Sequence, residues 1–524
     1  MIRKLMLMKK LMPALVILFF TINQALAQVQ ATHRIVLLTT AKTHGPGEHE
    51  HTKNARLIKA MLEHCNVKGI TVSIYQIWPE DETVLDSADL VMTLSDGRDG
   101  ADEGMPQVPF MTPARMQTME KLMKRGCGLA TYHFSTFASD LYGEKVLQWN
   151  GGYFDWQDET GKRNWYSAIT TTTADVTIPA KHPVTNGVKP FRIEEEFYYN
   201  LRFTENDPRL QQLAVVPALN GRPGTGNTVA WAVQRSGGGR GFGTSMGHLY
   251  KNWMNADFRT FMLNGIAWAA GITIPAGGIK AKFYTVPELT HLLNNKKAKA
   301  LILTGNNHPA HPWKETTNLI KQTLETGAFQ VDVSTVIHDL YQYDLTDYDV
   351  LIMNYCNWNN PGQLHDSAKA RTIRYLQNGG GMVIIHFANG AFHYSLPDAA
   401  ASDWPEYRNI CRRVWDHQSN SSHEPFGKFQ VKITGEKSII TKGLKNFITE
   451  DELYYNQKGE APLTPLLTAF SKTTGKVEPL AWAYDYGKGR IFQTLLGHNV
   501  ASFQAPAFLE LLKRSAEWAA GTLH

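Results

Sequence analysis

The chain has 524 residues, 43% of them hydrophobic and 19% charged, with a formal net charge of +5. Four of its 53 Lys and Arg residues precede Gln28 and no Asp or Glu does, so removing those four from +5 leaves about +1 for the remainder. That near-neutral balance, without Lys/Arg clusters interleaved with aromatics, argues against a nucleic-acid partner, and four cysteines without CxxC spacing argue against a zinc ribbon or a disulfide scaffold.

In chain order, Arg3, Lys4, Lys9 and Lys10 precede an apolar run over Leu11–Ile22 and a small-x-small site at Ala25–Ala27. This pattern predicts a cleavable signal peptide over 1–27 and a periplasmic or secreted product, with no membrane association after cleavage. The run is short for a spanning helix, which needs about 20 residues. Two domains are expected, 28–272 and 298–524, joined by a linker over 273–297 that starts flexibly at Pro275–Gly278.

The first half predicts strands at Arg34–Leu38, Ala88–Thr93 and Gly128–Tyr132, with helices over Asn54–His64 and Pro113–Arg125. The second half predicts strands at Lys299–Leu303, Tyr348–Met353 and Met382–Ile385, with helices over Leu319–Leu324 and Ala370–Gln377. Tyr166–Thr170 and Lys428–Lys432 read as strands of an inserted or antiparallel portion. Short apolar strands alternating with amphipathic helices imply α/β architecture: two tandem doubly wound parallel sheets of the flavodoxin type. In such sheets ligands sit beyond the carboxyl ends of the strands.

The halves repeat one another. Phe191–Asn200 (FRIEEEFYYN) returns as Phe447–Asn456 (FITEDELYYN), Gly247-His248 as Gly497-His498, and Ile266–Gly271 as Ala516–Gly521, at offsets of 256, 250 and 250 residues. So long a period means two copies of a domain. Four polar positions survive in both: a loop His after the first strand (His44, His308), a His closing a buried strand (His133, His386), a carboxylate (Glu196, Glu452) and the Gly-His pair (His248, His498). Imidazoles beside a carboxylate suit acid–base chemistry near neutral pH, and they leave a divalent metal as an alternative. The catalytic candidates are therefore His133, Glu196, His248, His386, Glu452 and His498. Only the first half has the His44–His51 run (HGPGEHEH), which makes His44, His49 and His51, with His308 in the other half, weak metal-ligand candidates. No cofactor is otherwise indicated: Gly237–Gly243 reads as a turn between strands rather than a phosphate loop. Cys127, placed inside a strand, has no counterpart and is a poor nucleophile; buried thiols are expected throughout.

The motifs together resemble the ThuA-like (trehalose-utilisation) family. Its carriers in the second half are Asn307-His308, Trp313–Thr317, Gly379–Gly381 leading to His386–Asn389, Trp404–Tyr407, His423–Phe426, Asp451–Tyr454 and Gly487–Arg490 leading to Gly497-His498. The first half resembles a divergent branch through His44–His51, His133-Phe134 and Gly247-His248, and departs at the Trp-Pro-Glu-Tyr and His-Glu-Pro-Phe blocks. The resemblance implies a fold like class I glutamine amidotransferases, without their cysteine nucleophile. It further implies work on small carbohydrates: disaccharides, glycosides or their 3-keto forms, the latter supplied by a sugar-oxidising dehydrogenase. Hydrolase, lyase and isomerase chemistry all stay open, as does a non-catalytic carbohydrate-binding role serving a partner enzyme. Sugar-contact candidates are Trp149, Tyr153, Trp156, Tyr198, Trp313, Trp404, Trp415, His423 and Tyr454. The second half fits the pattern more completely and is expected to carry turnover alone.

Overall fold

The computed structural model describes residues 32–97, 108–138, 141–156, 165–293, 297–327, 329–360, 362, 364–434 and 438–523. The expected signal segment, 1–27, lies outside the described residues. No helix among those described is long and apolar enough to cross a membrane. The chain divides into two compact units, one built mainly from Thr43–Tyr75 and Glu82–Thr290, the other mainly from His291–His524.

The first unit contains β1 (His33–Thr39), β2 (Ile70–Gln76), β3 (Leu90–Leu94), β4 (Gly128–Tyr132), β5 (Gly152–Tyr153), β6 (Ala168–Val176), β7 (Phe191–Tyr199), β8 (Arg202–Phe203), β9 (Leu210–Val215), β10 (Thr228–Gln234) and β11 (Arg240–Thr244). Its main sheet runs β2-β1-β3-β4-β11-β10-β9. The pairs β1/β3, β3/β4 and β4/β11 are parallel, and β10 is antiparallel to both β11 and β9. Every residue of β3 and β4 is buried, as expected of strands covered on both faces. Helices α1 (His51–Glu63), α2 (Pro113–Arg125), α3 (Gly143–Asn150) and α4 (Ala256–Ala269) join the strands. Helix α2 starts at Pro113 and ends at Gly126, whose φ of 98° closes a left-handed cap, the expected Pro-in, Gly-out asymmetry.

The second unit repeats this plan with β12 (Ala298–Leu303), β13 (Phe329–Ser334), β14 (Val350–Met353), β15 (Gly381–Ile385), β16 (Ser422–His423), β17 (Gly427–Ile433), β18 (Phe447–Asp451), β19 (Tyr454–Tyr455), β20 (Pro465–Phe470), β21 (Val477–Tyr486) and β22 (Gly489–Thr494). Helix α5 (Val286–Leu293) precedes β12, and α6 (Trp313–Glu325), α7 (Asp366–Gln377), α8 (Pro405–Cys411) and α9 (Pro506–Ala519) follow in turn. The sheet order is β13-β12-β14-β15-β22-β21-β20-β17-β18. Each unit thus reverses direction between its first strand and its third, the switch point where doubly wound sheets open a crevice.

The inserted portions are antiparallel, as the sequence implies. In the first unit β6 and β7 form a separate ladder, Ala168↔Tyr199 to Val176↔Phe191. In the second, β17 pairs with both β18 and β20, which extends the main sheet. Both edge strands β2 and β13 mix buried with exposed or half-buried positions, so they carry no clean apolar run in the sequence. Cys127 sits in the turn before β4 rather than inside a strand; all four cysteines are free and buried. The turn Arg235–Gly239 joins β10 to β11, with Gly238 and Gly239 at positive φ.

The expected linker is ordered at its start. Ile274 and Ile279 are buried. The side chain of Asn264, on α4, donates to the carbonyls of Val184 and Asn186 (2.9 Å each) and accepts the N–H of Ile279 (2.8 Å). Fully buried Asn264 therefore satisfies three backbone groups at once. Asn264→Ala leaves them without partners and is expected to cost about 1–3 kcal/mol or more. Urea unfolding checks this; an unchanged midpoint would show that the segment is not held by this residue.

Candidate functional site

Strands β4 and β15 are each followed directly by a histidine whose backbone turns into the left-handed region: His133 and His386 both have φ of 50°. A residue with a Cβ pays strain there, on the order of 1–3 kcal/mol, which the surrounding structure must overcome. The turn lays Nδ1 against a carbonyl beyond the end of the neighbouring strand, Ser245 for His133 (2.6 Å) and Leu495 for His386 (2.8 Å). A carbonyl can only accept, so Nδ1 carries the proton and the Nε2 lone pair faces the crevice in the neutral ring. Tyr198 and Tyr454 place their hydroxyls 2.9 and 2.8 Å from those Nε2 atoms.

The Gly-His pairs follow β11 and β22. Gly247 and Gly497 have φ of 130° and 121°, and a Cβ at Gly247 would collide with the Tyr132 ring. The loop is clamped from below by a fully buried carboxylate. Glu195 accepts the N–H groups of Gly247 (2.9 Å), His248 (3.0 Å) and Glu196 (2.9 Å) and the Asn252 amide (3.0 Å). Asp451 accepts those of Gly497 (2.8 Å), His498 (3.2 Å) and Glu452 (2.8 Å). Burial pushes both carboxyls above the ordinary range, although these N–H donors and the nearby His133 or His386 oppose it. Neighbouring side chains of a strand face opposite ways. In β7 Glu195 therefore goes inward while Glu196 reaches the crevice; Asp451 closes β18 and is buried, and Glu452, just past the strand, reaches the second crevice.

The third element is a loop histidine two residues before a helix: His49 before α1 and His311 before α6. His49 sets Nδ1 on Asp96 (2.7 Å) and Nε2 at 3.1 Å from His133 Nε2. His311 sets Nδ1 on Asn307 Oδ1 (2.9 Å). Ring centroids separate by 4.9 Å for His49–His133 and for His311–His386, and by 4.8 Å for His49–His248 and for His311–His498. The two clusters are near-superposable constructions from different local sequences. Burial lowers His49 to about 2 and His311 further, against the pull of Asp96 on the first and Glu452 on the second. Both rings are neutral at physiological pH.

The carboxylate completes each set. Glu196 Oε2 lies 3.5 Å from both His133 Nε2 and His248 Nδ1; Glu452 Oε2 lies 3.7 Å from His386 Nε2 and 3.2 Å from His498 Nδ1. Burial would raise both carboxyls, but the histidine contacts outweigh it, holding Glu196 at about 2 and Glu452 well below the usual range. In each set, His49-His133-Glu196-His248 and His311-His386-Glu452-His498, one donor atom per residue lies within 4.8 Å of all the others. Each can thus receive a proton, orient a polar ligand or surround a cation.

The remaining sequence candidates separate into rim and core. Exposed His44 lies tilted against His49 with ring centroids 3.6 Å apart, and His51 holds Asp96 at 3.0 Å. His308 stands 5.4 Å from His311 with Trp358 against it at 4.5 Å. His423 Nδ1 is 3.5 Å from Glu452 Oε1, and Trp415 packs on Tyr454 at 4.7 Å. Trp149, Trp156 and Trp404 are 7%, 5% and 5% exposed and act as core: Trp156 packs with Phe137 and Phe154, and Trp404 stacks on Tyr407. Tyr153 reaches Asp155 at 3.4 Å, and half-buried Trp313 opens α6. Reading the sequence for shared loop histidines finds His44 and His308 but misses His311, Asp96, Glu195, Asp451 and the rim residue Trp358. Spacing from the helix start, equal for His49 and His311, is the signal that could have paired those two.

Residues 36–269 and 299–519 each match the sequence profile of the family ThuA, described as trehalose utilisation. Among solved structures, a ThuA-like protein of Parabacteroides merdae ATCC 43184 is 28% identical over 44% of this chain and 92% of its own, with a TM-score of 0.38. Another, from Bacteroides uniformis ATCC 8492, is 21% identical over 42% and 91%, with a TM-score of 0.34. A glutamine amidotransferase of Thermotoga maritima is 10% identical over 38% and 74%, with a TM-score of 0.22. No curated protein matches.

The clamp makes a stability prediction. Asp451→Ala strips three backbone N–H groups of their acceptor and is expected to lower stability by about 2–5 kcal/mol, the range for leaving several buried donors unpaired. Denaturant unfolding measures it; a loss below about 0.5 kcal/mol would contradict a clamp role.

Proposed function

Because the chain belongs to the ThuA family of trehalose utilisation, we propose that it processes a disaccharide or glycoside, or its 3-keto form, at the two histidine–glutamate clusters. One observation carries this reading: the same four-residue constellation is assembled twice, each time at the carboxyl ends of the strands beside the switch point. A ketone at C3 acidifies the neighbouring C–H bonds. Removing the C2 proton gives an enolate, and collapse of that enolate expels the glycosidic oxygen from C1, which must be protonated as it leaves. In the second unit His386 or His498 exchanges the protons, with Glu452 ionised and orienting; in the first, His133, His248 and Glu196 take those parts. The same donor atoms could instead hold a cation that polarises the ketone.

The aromatic rim of the second unit, partly buried Trp358 and half-exposed Phe426, backed by buried Phe387 and Trp415, offers faces on which a sugar ring can lie. It also supports the second reading, a carbohydrate-binding protein without turnover. Incubation with ordinary and 3-keto disaccharides separates the two, since binding without conversion of any of them would remove the enzyme reading. The recurrence of the whole cluster favours work in both units over the second alone. His133→Ala and His386→Ala are each expected to remove part of the turnover, and the double variant at least 100-fold, about 2.7 kcal/mol of barrier. Wild-type rates in both folded single variants would eliminate these residues from the chemistry. The proposal includes export: mature protein beginning near Gln28 in the periplasmic fraction supports it, and full-length protein retaining Met1–Ala27 in membranes overturns it.

A further inference from the structure

We propose that each cluster is a resident site for a divalent transition metal of the zinc class, held by His49, His133, Glu196 and His248 in the first unit and by His311, His386, Glu452 and His498 in the second. The inference takes up the alternative in which the donor atoms hold a cation, since an imidazole whose lone pair binds a metal no longer exchanges protons, and it stands on other observations.

The first is spacing. Donors at about 2.0–2.1 Å from a tetrahedral ion lie about 3.4 Å from one another. In the first unit the separations are 3.1 Å (His49–His133), 3.3 Å (His133–His248), 3.5 Å (His133–Glu196) and 3.5 Å (His248–Glu196). In the second they are 3.7 Å (His386–Glu452) and 3.2 Å (His498–Glu452).

The second is the direction of the lone pairs. His49 is committed through Nδ1 to the Asp96 carboxylate and His133 through Nδ1 to a carbonyl. In the neutral rings their Nε2 atoms are therefore both acceptors, buried and facing each other at 3.1 Å. The Tyr198 hydroxyl can supply one hydrogen, to one atom of the set. In the second unit Nδ1 of His498 is buried without an aligned hydrogen-bond partner among the described residues. Converging acceptors of this kind repel unless a cation lies between them.

The third is the outer ring of contacts. Metal-binding imidazoles commonly donate their other N–H to a carboxylate or carbonyl, which fixes the ring and raises its basicity. His49 does so to Asp96, and His133 and His386 do so to Ser245 and Leu495. Three imidazoles and one carboxylate, without thiolate, suit a borderline ion rather than magnesium or calcium, which take oxygen donors. The units differ in one contact: Asp96 supports His49, whereas neutral Asn307 supports His311. The first site is therefore the tighter.

The test uses the full mature chain, stripped with chelator, dialysed and titrated with Co²⁺ and Zn²⁺ while metal content and the cobalt visible spectrum are read. Two equivalents per chain with an intense tetrahedral cobalt band are expected. His133→Ala and His386→Ala should each retain one equivalent, and Asp96→Asn should weaken one of the two sites about 10- to 100-fold while leaving the other unchanged. Absence of a tetrahedral cobalt spectrum in the folded wild-type chain, or two equivalents surviving in the double variant, would overturn the proposal. The wild-type spectrum decides this even where a variant fails to fold. Metal content is independent of turnover: a chain that binds two ions yet converts no sugar keeps this inference and loses the functional one, and sugar conversion by a chain that binds none does the reverse.

Discussion

Everything at either crevice depends on a carboxylate that never meets water. Glu195 and Asp451 lie fully buried beneath the Gly-His loops and gather the N–H groups of residues that would otherwise be loose. Charge-assisted bonds of this type are strong where the dielectric is low, and an unmade one is costly. The clamp sets the height of His248 and His498 above the sheet. Because the adjacent residue of β7 must point the other way, the same strand delivers Glu196 to the crevice, while Glu452 reaches its own from the residue just past the end of β18. In the first unit one strand register thus places two of the four cluster residues.

The remaining two come from the ends of parallel strands. Such ends are where a doubly wound sheet has free carbonyls and diverging loops. The left-handed turn at His133 and His386 uses one of those carbonyls to choose a tautomer, which turns a flexible imidazole into a directed lone pair. The loop after the first strand then brings His49 or His311 over the top. Binding sites assembled from several separated elements are precise because each donor is held by its own neighbours rather than by the ligand.

The two units reach one geometry by different local means. His49 rests on a carboxylate it shares with His51, while His311 rests on an amide within its own loop. The rims differ more: His44 lies against the first cluster, and Trp358, Trp415 and His423 gather beside the second. Matching centres under divergent rims are what two copies of a domain would show if the central geometry were kept and the surrounding contacts changed.

Much of this was legible in the chain itself. Buried parallel strands announce themselves as short apolar runs, so β1, β3, β4, β12, β14 and β15 could be placed, with α2 ending at Gly126 as its composition requires. The internal repeat singled out His133, Glu196 and His248 with their partners, because polar residues retained twice at strand ends have few structural reasons to be there. Tertiary structure alone decided the rest. His311 joins its cluster through a loop whose length differs from its counterpart, so no residue count pairs it with His49 unless the helix start is known. Asp96 is one more acid after a strand until the fold brings it under two histidines. Glu195 and Glu196 are indistinguishable as letters; only the side of the strand that faces the core separates the clamp from the donor. Trp149, Trp156 and Trp404 stand as sugar-contact candidates in the sequence yet fill core, since burial belongs to the packed whole and a local pattern reports only its own neighbours.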